Sequence, residues 1–268
     1  MSMKIGFAVD GPVVDGPIVT PKREDQPNTT PRPSLVEVYF PDRDASYSYY
    51  NDRYDLQLGD LVFVDGKLEG IRGRVVKINY AFKIKLSDYK RVIYRADTQL
   101  IGALYLAGSH FISDDPGVLP FDTAAGWLMP PGNEETVSGG GDNPFPLDNL
   151  PQSGIPPAIA ERGHEYYNRG RVLYLEVNHG RGHAIVQGSR PYTVEFSLVD
   201  GMVSDLVCDC YCTARCKHQL AALLQLQESI DMAAANKLDI DHYLMAVSKS
   251  LVYDIVLEGR VGGEIVFS

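Results

Sequence analysis

The four cysteines of this chain all fall in one short run, Val207-Cys208-Asp209-Cys210-Tyr211-Cys212-Thr213-Ala214-Arg215-Cys216-Lys217-His218. Thiolates and a neutral imidazole are the ligands that Zn²⁺ takes when it serves as a structural ion. Disulfides fit the run poorly, because bridging residues two apart on an extended strand is strained and a reducing compartment disfavours them. A metal site is therefore the expected use of the cluster.

Five potential ligands compete for four positions. Alternate residues of a strand project to one face, so Cys208 and Cys210 can offer two sulfurs to one ion, and Cys212 would share that face if the strand continued. Residues two apart within a helix diverge, so Cys216 and His218 converge only on the turn that enters a helix. There the positive end of the helix dipole favours thiolate. The longer loop from Cys210 to Cys216 favours Cys208, Cys210, Cys216 and His218 over a set that uses Cys212. Three thiolates and an imidazole around Zn²⁺ carry a net negative charge, which Arg215 and Lys217 can screen.

The flanking elements must place these ligands. Upstream, Pro156 to Gly170 reads as a helix, followed by strands at Val172–Val177, Ala184–Gln187, Tyr192–Leu198 and about Val203–Cys210. Downstream, Leu220, Leu223, Leu224 and Leu226 to Ile230 mark one apolar face of a helix. A second helix is expected around Asp239–Ser248, capped by Asp239. A hairpin of Leu251–Leu257 and Glu264–Phe267 is expected to close the chain.

Cys208-x-Cys210, a five-residue spacer, and then Cys216-Lys217-His218-Gln219-Leu220-Ala221-Ala222-Leu223-Leu224 resembles a SWIM zinc finger. Arg162-Gly163-His164-Glu165-Tyr166-Tyr167 and Val186-Gln187-Gly188-Ser189-Arg190-Pro191-Tyr192 are similar to the segment before the finger in bacterial SWIM proteins. The likeness covers about 158–227. It departs from the commoner pattern at Tyr211 and in the extra Cys212. The resemblance implies a ββα zinc fold that binds DNA or protein. The helicase and transposase motifs that accompany some members are absent.

The N-terminal part carries a different signal. Leu35–Phe40 alternates, Leu61–Val64 follows Gly59-Asp60, and Gly73–Ile78 follows a glycine-rich turn, which together suggest a small β-barrel. Residues 67–95 hold nine basic residues against Glu69 and Asp88, interleaved with Tyr80, Phe82, Tyr89 and Tyr94. Cations for phosphates beside rings that stack on bases suit a single-stranded nucleic acid. Lys77, Lys83, Lys85, Lys90 and Arg91 are its candidate contacts, joined by Arg215 and Lys217 of the finger. The alternative is a strand whose Phe82, Ile84 and Leu86 face the core while Lys83, Lys85 and Lys90 meet solvent.

The chain as a whole carries a formal charge of −10 over 268 residues, so any attraction to polyanions must be local. No apolar stretch is long enough to span a bilayer, and the start is too short in apolar residues for a signal-peptide core, so a cytoplasmic location is expected. His179 and His183 read as parts of a polar hairpin turn. Phosphate-cradling loops, nucleophile elbows and metalloprotease helices do not occur, and neither catalysis nor a small-molecule substrate is expected. The expected organisation is α+β. An extended arm at 1–34 leads into a small β-barrel at 35–113. An acidic Pro/Gly-rich linker at 114–157 then joins it to a zinc module with preceding antiparallel strands at 158–268. Within the linker only Phe121, Trp127 and Phe145 argue for docking. Two functions follow: a nucleic-acid-binding accessory factor for DNA or RNA, or a protein-interaction adaptor.

Overall fold

The computed structural model describes residues 31–132 and 143–257. The first thirty residues of the expected arm and the closing Glu264–Phe267 strand lie outside them.

Alternation of apolar residues builds the first sheet. In β1 (Ser34–Phe40), Val36, Val38 and Phe40 are fully buried while their neighbours are half-exposed. β1 pairs with β2 (Ala45–Asn51) on one side and β4 (Gly73–Asn79) on the other, and β3 (Leu61–Val64) and β5 (Val92–Arg95) complete the order β2-β1-β4-β3-β5. A Cβ at Gly73 would lie 2.5 Å from Val38 Cγ1, so only glycine lets β4 approach β1 there. The expected closed barrel does not form. β2 reaches the residue before β5 in one isolated parallel bridge, Tyr50 to Arg91, where the Tyr50 N–H donates to the Lys90 carbonyl over 2.9 Å. The irregular segment 80–91 stands where a closing ladder would run. Its Lys83, Lys85 and Lys90 are exposed as expected, but it is no strand, and Leu86 is exposed as well.

The second sheet has eight strands and carries the cysteine cluster at its far side. β6 (Tyr105–Ala107) and β7 (His110–Ser113) precede α1 (Phe121–Gly126) and β8 (Phe145–Pro146) in the chain. After α2 (Pro157–Asn168) come β9 (Val172–Asn178), β10 (Arg181–Gln187), β11 (Pro191–Val199) and β12 (Met202–Cys208). Then follow α3 (Lys217–Ala235), β13 (Tyr243–Ser248) and α4 (Lys249–Val252). The order is β6-β7-β13-β9-β10-β11-β12-β8, antiparallel throughout.

Both faces of this sheet are covered. Leu175, Ala184, Val186, Val194 and Leu244 pack under α3. Tyr174, Ile185, Met245 and Val247 face Leu119, Trp127, Leu251 and Leu61 of the first sheet. β13 is buried at every position, since its odd and even residues each meet an apolar layer. That two-sided burial explains why 243–248 is a strand rather than the expected helix: an apolar run buried on both sides has no period to distinguish the two. Leu251–Val252 likewise lie in a helical turn that continues to Leu257, not in a strand.

Residues of the Pro/Gly-rich stretch pack closely. Leu119 and Trp127 are fully buried, and Trp127 Nε1 donates to the Asp97 carbonyl over 2.5 Å. Phe121 packs on Tyr174, and Phe145 pairs with Val203 of β12. All three aromatics singled out for docking are thus engaged. Among the described residues, no helix is long and apolar enough to cross a membrane.

Candidate metal centre

β12 ends at Cys208 and α3 starts at Lys217, so the loop between them brings the strand end against the helix N-terminus. Cys216 is the N-cap of α3 in extended conformation, with φ −122° and ψ 168°. Its sulfur accepts the backbone N–H of Gln219, and Gln219 Oε1 accepts the Cys216 N–H over 2.7 Å. This is a capping box with cysteine in the place usually held by Ser or Thr. Gln219 Nε2 and Arg215 Nη1 both donate to the Leu206 carbonyl, at 3.0 and 3.1 Å. The helix entry is therefore tied to the strand two residues before its terminal cysteine.

The result is a group of four donors. One ligand atom each from Cys208, Cys210, Cys216 and His218 lies within 4.8 Å of the others. His218 Nδ1 is 3.8 Å from both Cys208 Sγ and Cys216 Sγ. Ligands at about 2.0–2.3 Å from a tetrahedral ion are about 3.5–3.8 Å apart, so the spacing suits a four-coordinate ion. Cys216 and His218 are buried, Cys208 and Cys210 half-buried and Cys212 exposed. The structure brings together the four favoured residues and leaves Cys212 outside the group.

The cluster holds its protons unequally. The hydrogen bond from Cys208 pushes the Cys216 thiol down to about 4. Cys208, tied to that thiolate and buried, is pushed far up. Burial raises Cys210 to about 11. Three sulfurs crowded in one partly buried site cannot all ionise unless a cation neutralises them.

The imidazole is held by residues that spacing alone did not single out. The His218 ring stacks on Tyr192, with centroids 4.5 Å apart and planes 20° from parallel, and meets the edge of Tyr166 at 5.4 Å. Gly188 lies against this stack: a Cβ there would come 2.6 Å from the Tyr192 ring and 3.2 Å from His218 Nε2. Nε2 itself is buried without a hydrogen-bond partner. Tyr166, Gly188 and Tyr192 all fall within the stretches that resemble SWIM proteins, which was the signal that could have pointed to them.

The cationic candidates take varied positions. Lys217 Nζ sits 4.4 Å over the Tyr166 ring, and Arg215 reaches over Phe145 besides its bond to Leu206. Arg91 pairs with Asp52 at 2.6 Å and lies over Tyr50. Lys77 is exposed on β4, as are Lys83, Lys85 and Lys90 on the irregular segment. His179 does lie in the β9–β10 turn, with φ +47°, whereas His183 lies on β10 with Nδ1 3.6 Å from Glu176 Oε1. Buried Glu176 also accepts the Tyr174 hydroxyl over 2.8 Å, a polar cluster the turn reading did not foresee.

No family model matches the chain, and neither a curated protein nor a solved structure does.

Proposed function

We propose that the cluster is a structural zinc site and that the chain is a SWIM-type accessory protein that binds nucleic acid. The convergence of three sulfurs and one imidazole nitrogen within 4.8 Å at a helix N-terminus carries the zinc reading. The donor set fits Zn²⁺: soft thiolates with one borderline nitrogen, closed at four ligands, which is the structural arrangement. When bound, the ion supplies a cross-link between β12 and α3 rather than an open coordination position for substrate. Cys208 and Cys210 hold it from the strand side, Cys216 and His218 from the helix side. The Cys-x-Cys and Cys-x-His spacing and the preceding segment support the SWIM reading.

The nucleic-acid reading rests on the basic window. Lys67, Lys77, Lys83, Lys85 and Lys90 are exposed, and Tyr80 is 39% exposed among them. Cations beside accessible rings in a protein that is otherwise acidic form the local attraction a polyanion requires. Fluorescence anisotropy of metal-loaded protein against single-stranded DNA, duplex DNA and RNA over a salt series tests it. Binding that weakens steeply with salt and drops in Lys83→Glu/Lys85→Glu is expected. No binding at low salt would overturn it in favour of a protein-interaction adaptor, the reading that the net charge of −10 favours.

A further inference from the structure

We propose that the groove where the two sheets meet is a binding site for a small organic anion, a carboxylate or phosphate head on an apolar body. None of the four clustered ligand residues lines it, and the inference rests on neither the zinc nor the nucleic-acid reading.

The shape comes first. The groove has a volume of about 640 Å³, within the range of about 300–1,000 Å³ typical of small-molecule sites. Its floor is apolar. Leu61 of β3 and Leu251 of α4 are buried there, and Ile71, Leu128 and Leu173 of β9 stand half-buried around them. These side chains come from the first sheet, from the turn after α1 and from the second sheet, so folding alone assembles the surface. An apolar body laid on it leaves water, which favours binding.

Charge then selects the head. Arg72 and Arg74 flank Gly73 at the start of β4, and Arg190 enters from the β10–β11 turn; the acids of the lining are Asp42 and Asp254. A cationic ligand would therefore meet three guanidinium groups. Asp42 is exposed at the rim, where water screens it. Arg74 braces the wall, donating to the Gly59 carbonyl over 3.2 Å and to the carbonyls of Asp254 and Ile255.

Arg72 is held more loosely. Its Nη2 lies 3.6 Å from Asp254 Oδ2, too far for a hydrogen bond, and among the described residues its guanidinium donates none. Five N–H donors in a planar fork match the two oxygens of a carboxylate or phosphate. The side chains of Arg72 and Asp254 are 34% and 48% exposed, so their attraction is screened and costs little to give up. An anionic head can take the place of Asp254 at hydrogen-bond range while Asp254 turns to water. The apolar body then rests on Leu61, Leu173 and Leu251.

The test uses the full chain as purified and the dye anilinonaphthalene sulfonate, an aromatic body with one anionic head. Trp127, the single tryptophan, precedes Leu128 of the groove, so energy transfer from it reports dye bound there. Saturation at one dye per chain is expected, with displacement by octanoate or by adenosine monophosphate and none by octanol. Whichever of the two anions displaces at the lower concentration shows whether the head is a carboxylate or a phosphate. Arg72→Gln should weaken binding about tenfold, the worth of one charge-assisted hydrogen bond, with an unchanged unfolding midpoint. Dye that does not saturate, equal affinity in Arg72→Gln, or displacement by octanol as strong as by octanoate overturns the inference.

Discussion

His218 and Tyr192 stack face to face 4.5 Å apart, and Gly188 closes the stack from the side with no room for a methyl group. The His218 ring is thus oriented by aromatic packing. In most metal sites the second imidazole nitrogen is oriented by a hydrogen bond, yet here Nε2 has no such partner. Tyr192→Ala should therefore lower metal affinity by about tenfold or more, the cost seen when a ligand loses its support. Tyr192→Phe keeps the stacking face and should cost far less. Competition with a chelator of known affinity measures both, and equal effects would show that the Tyr192 hydroxyl, which contacts Ser189 Oγ at 2.9 Å, is what matters.

His110 should make stability fall in mild acid. It is 1% exposed, its Nε2–H donates to the Val172 carbonyl over 2.8 Å, and burial holds its pKa below the ordinary histidine value. Above about pH 6.5 neither the folded nor the unfolded chain protonates it. As pH falls through that value the unfolded chain takes up a proton that folded His110 refuses, so folding weakens until the folded pKa is passed. Urea melts at pH 7.5 and 5.5 on metal-loaded protein should show this loss. His110→Gln should reduce the difference; an undiminished difference would assign the loss to other groups.

Trp127→Ala should destabilise the fold by about 3–5 kcal/mol, as expected for a large aromatic removed from a packed core. Its ring is fully buried in the apolar layer that Leu119 shares with Tyr174 of the second sheet. A stretch that merely tethered two modules would tolerate the change within about 0.5 kcal/mol. Chemical denaturation distinguishes the two outcomes.

The cluster was legible because its chemistry is local. Closely spaced cysteines, and Cys216 and His218 at a helix entry, restrict where an ion can sit before any tertiary contact is known, although the expected strand to Cys210 ends at Cys208 and Cys210 stands on the bend that follows. The strands β9 to β12 were legible for a similar reason, since glycine turns punctuate clear runs. β13 was not, because burial on both faces erases the alternation that marks a strand. The barrel did not close because closure depends on whether residues 80–91 pair, and a segment of alternating Lys and apolar residues carries the pattern of a strand without the neighbour that would make it one. Leu119 and Trp127 sit in a Pro- and Gly-rich composition typical of linkers, where only the aromatic side chains carried a packing signal. Tyr192 and Tyr166 reach His218 from different elements, and no spacing rule connects residues that meet only after folding.

Metal content and coordination of the protein as purified test the central claim most directly. Elemental analysis should find one zinc per chain, and X-ray absorption at the zinc edge should show three sulfurs and one nitrogen. Cys210→Ser and Cys216→Ser should each lose the ion and loosen 203–230 in hydrogen exchange, while Cys212→Ser keeps both. Full zinc retention in Cys210→Ser and Cys216→Ser, or a shell without sulfur, would contradict the site.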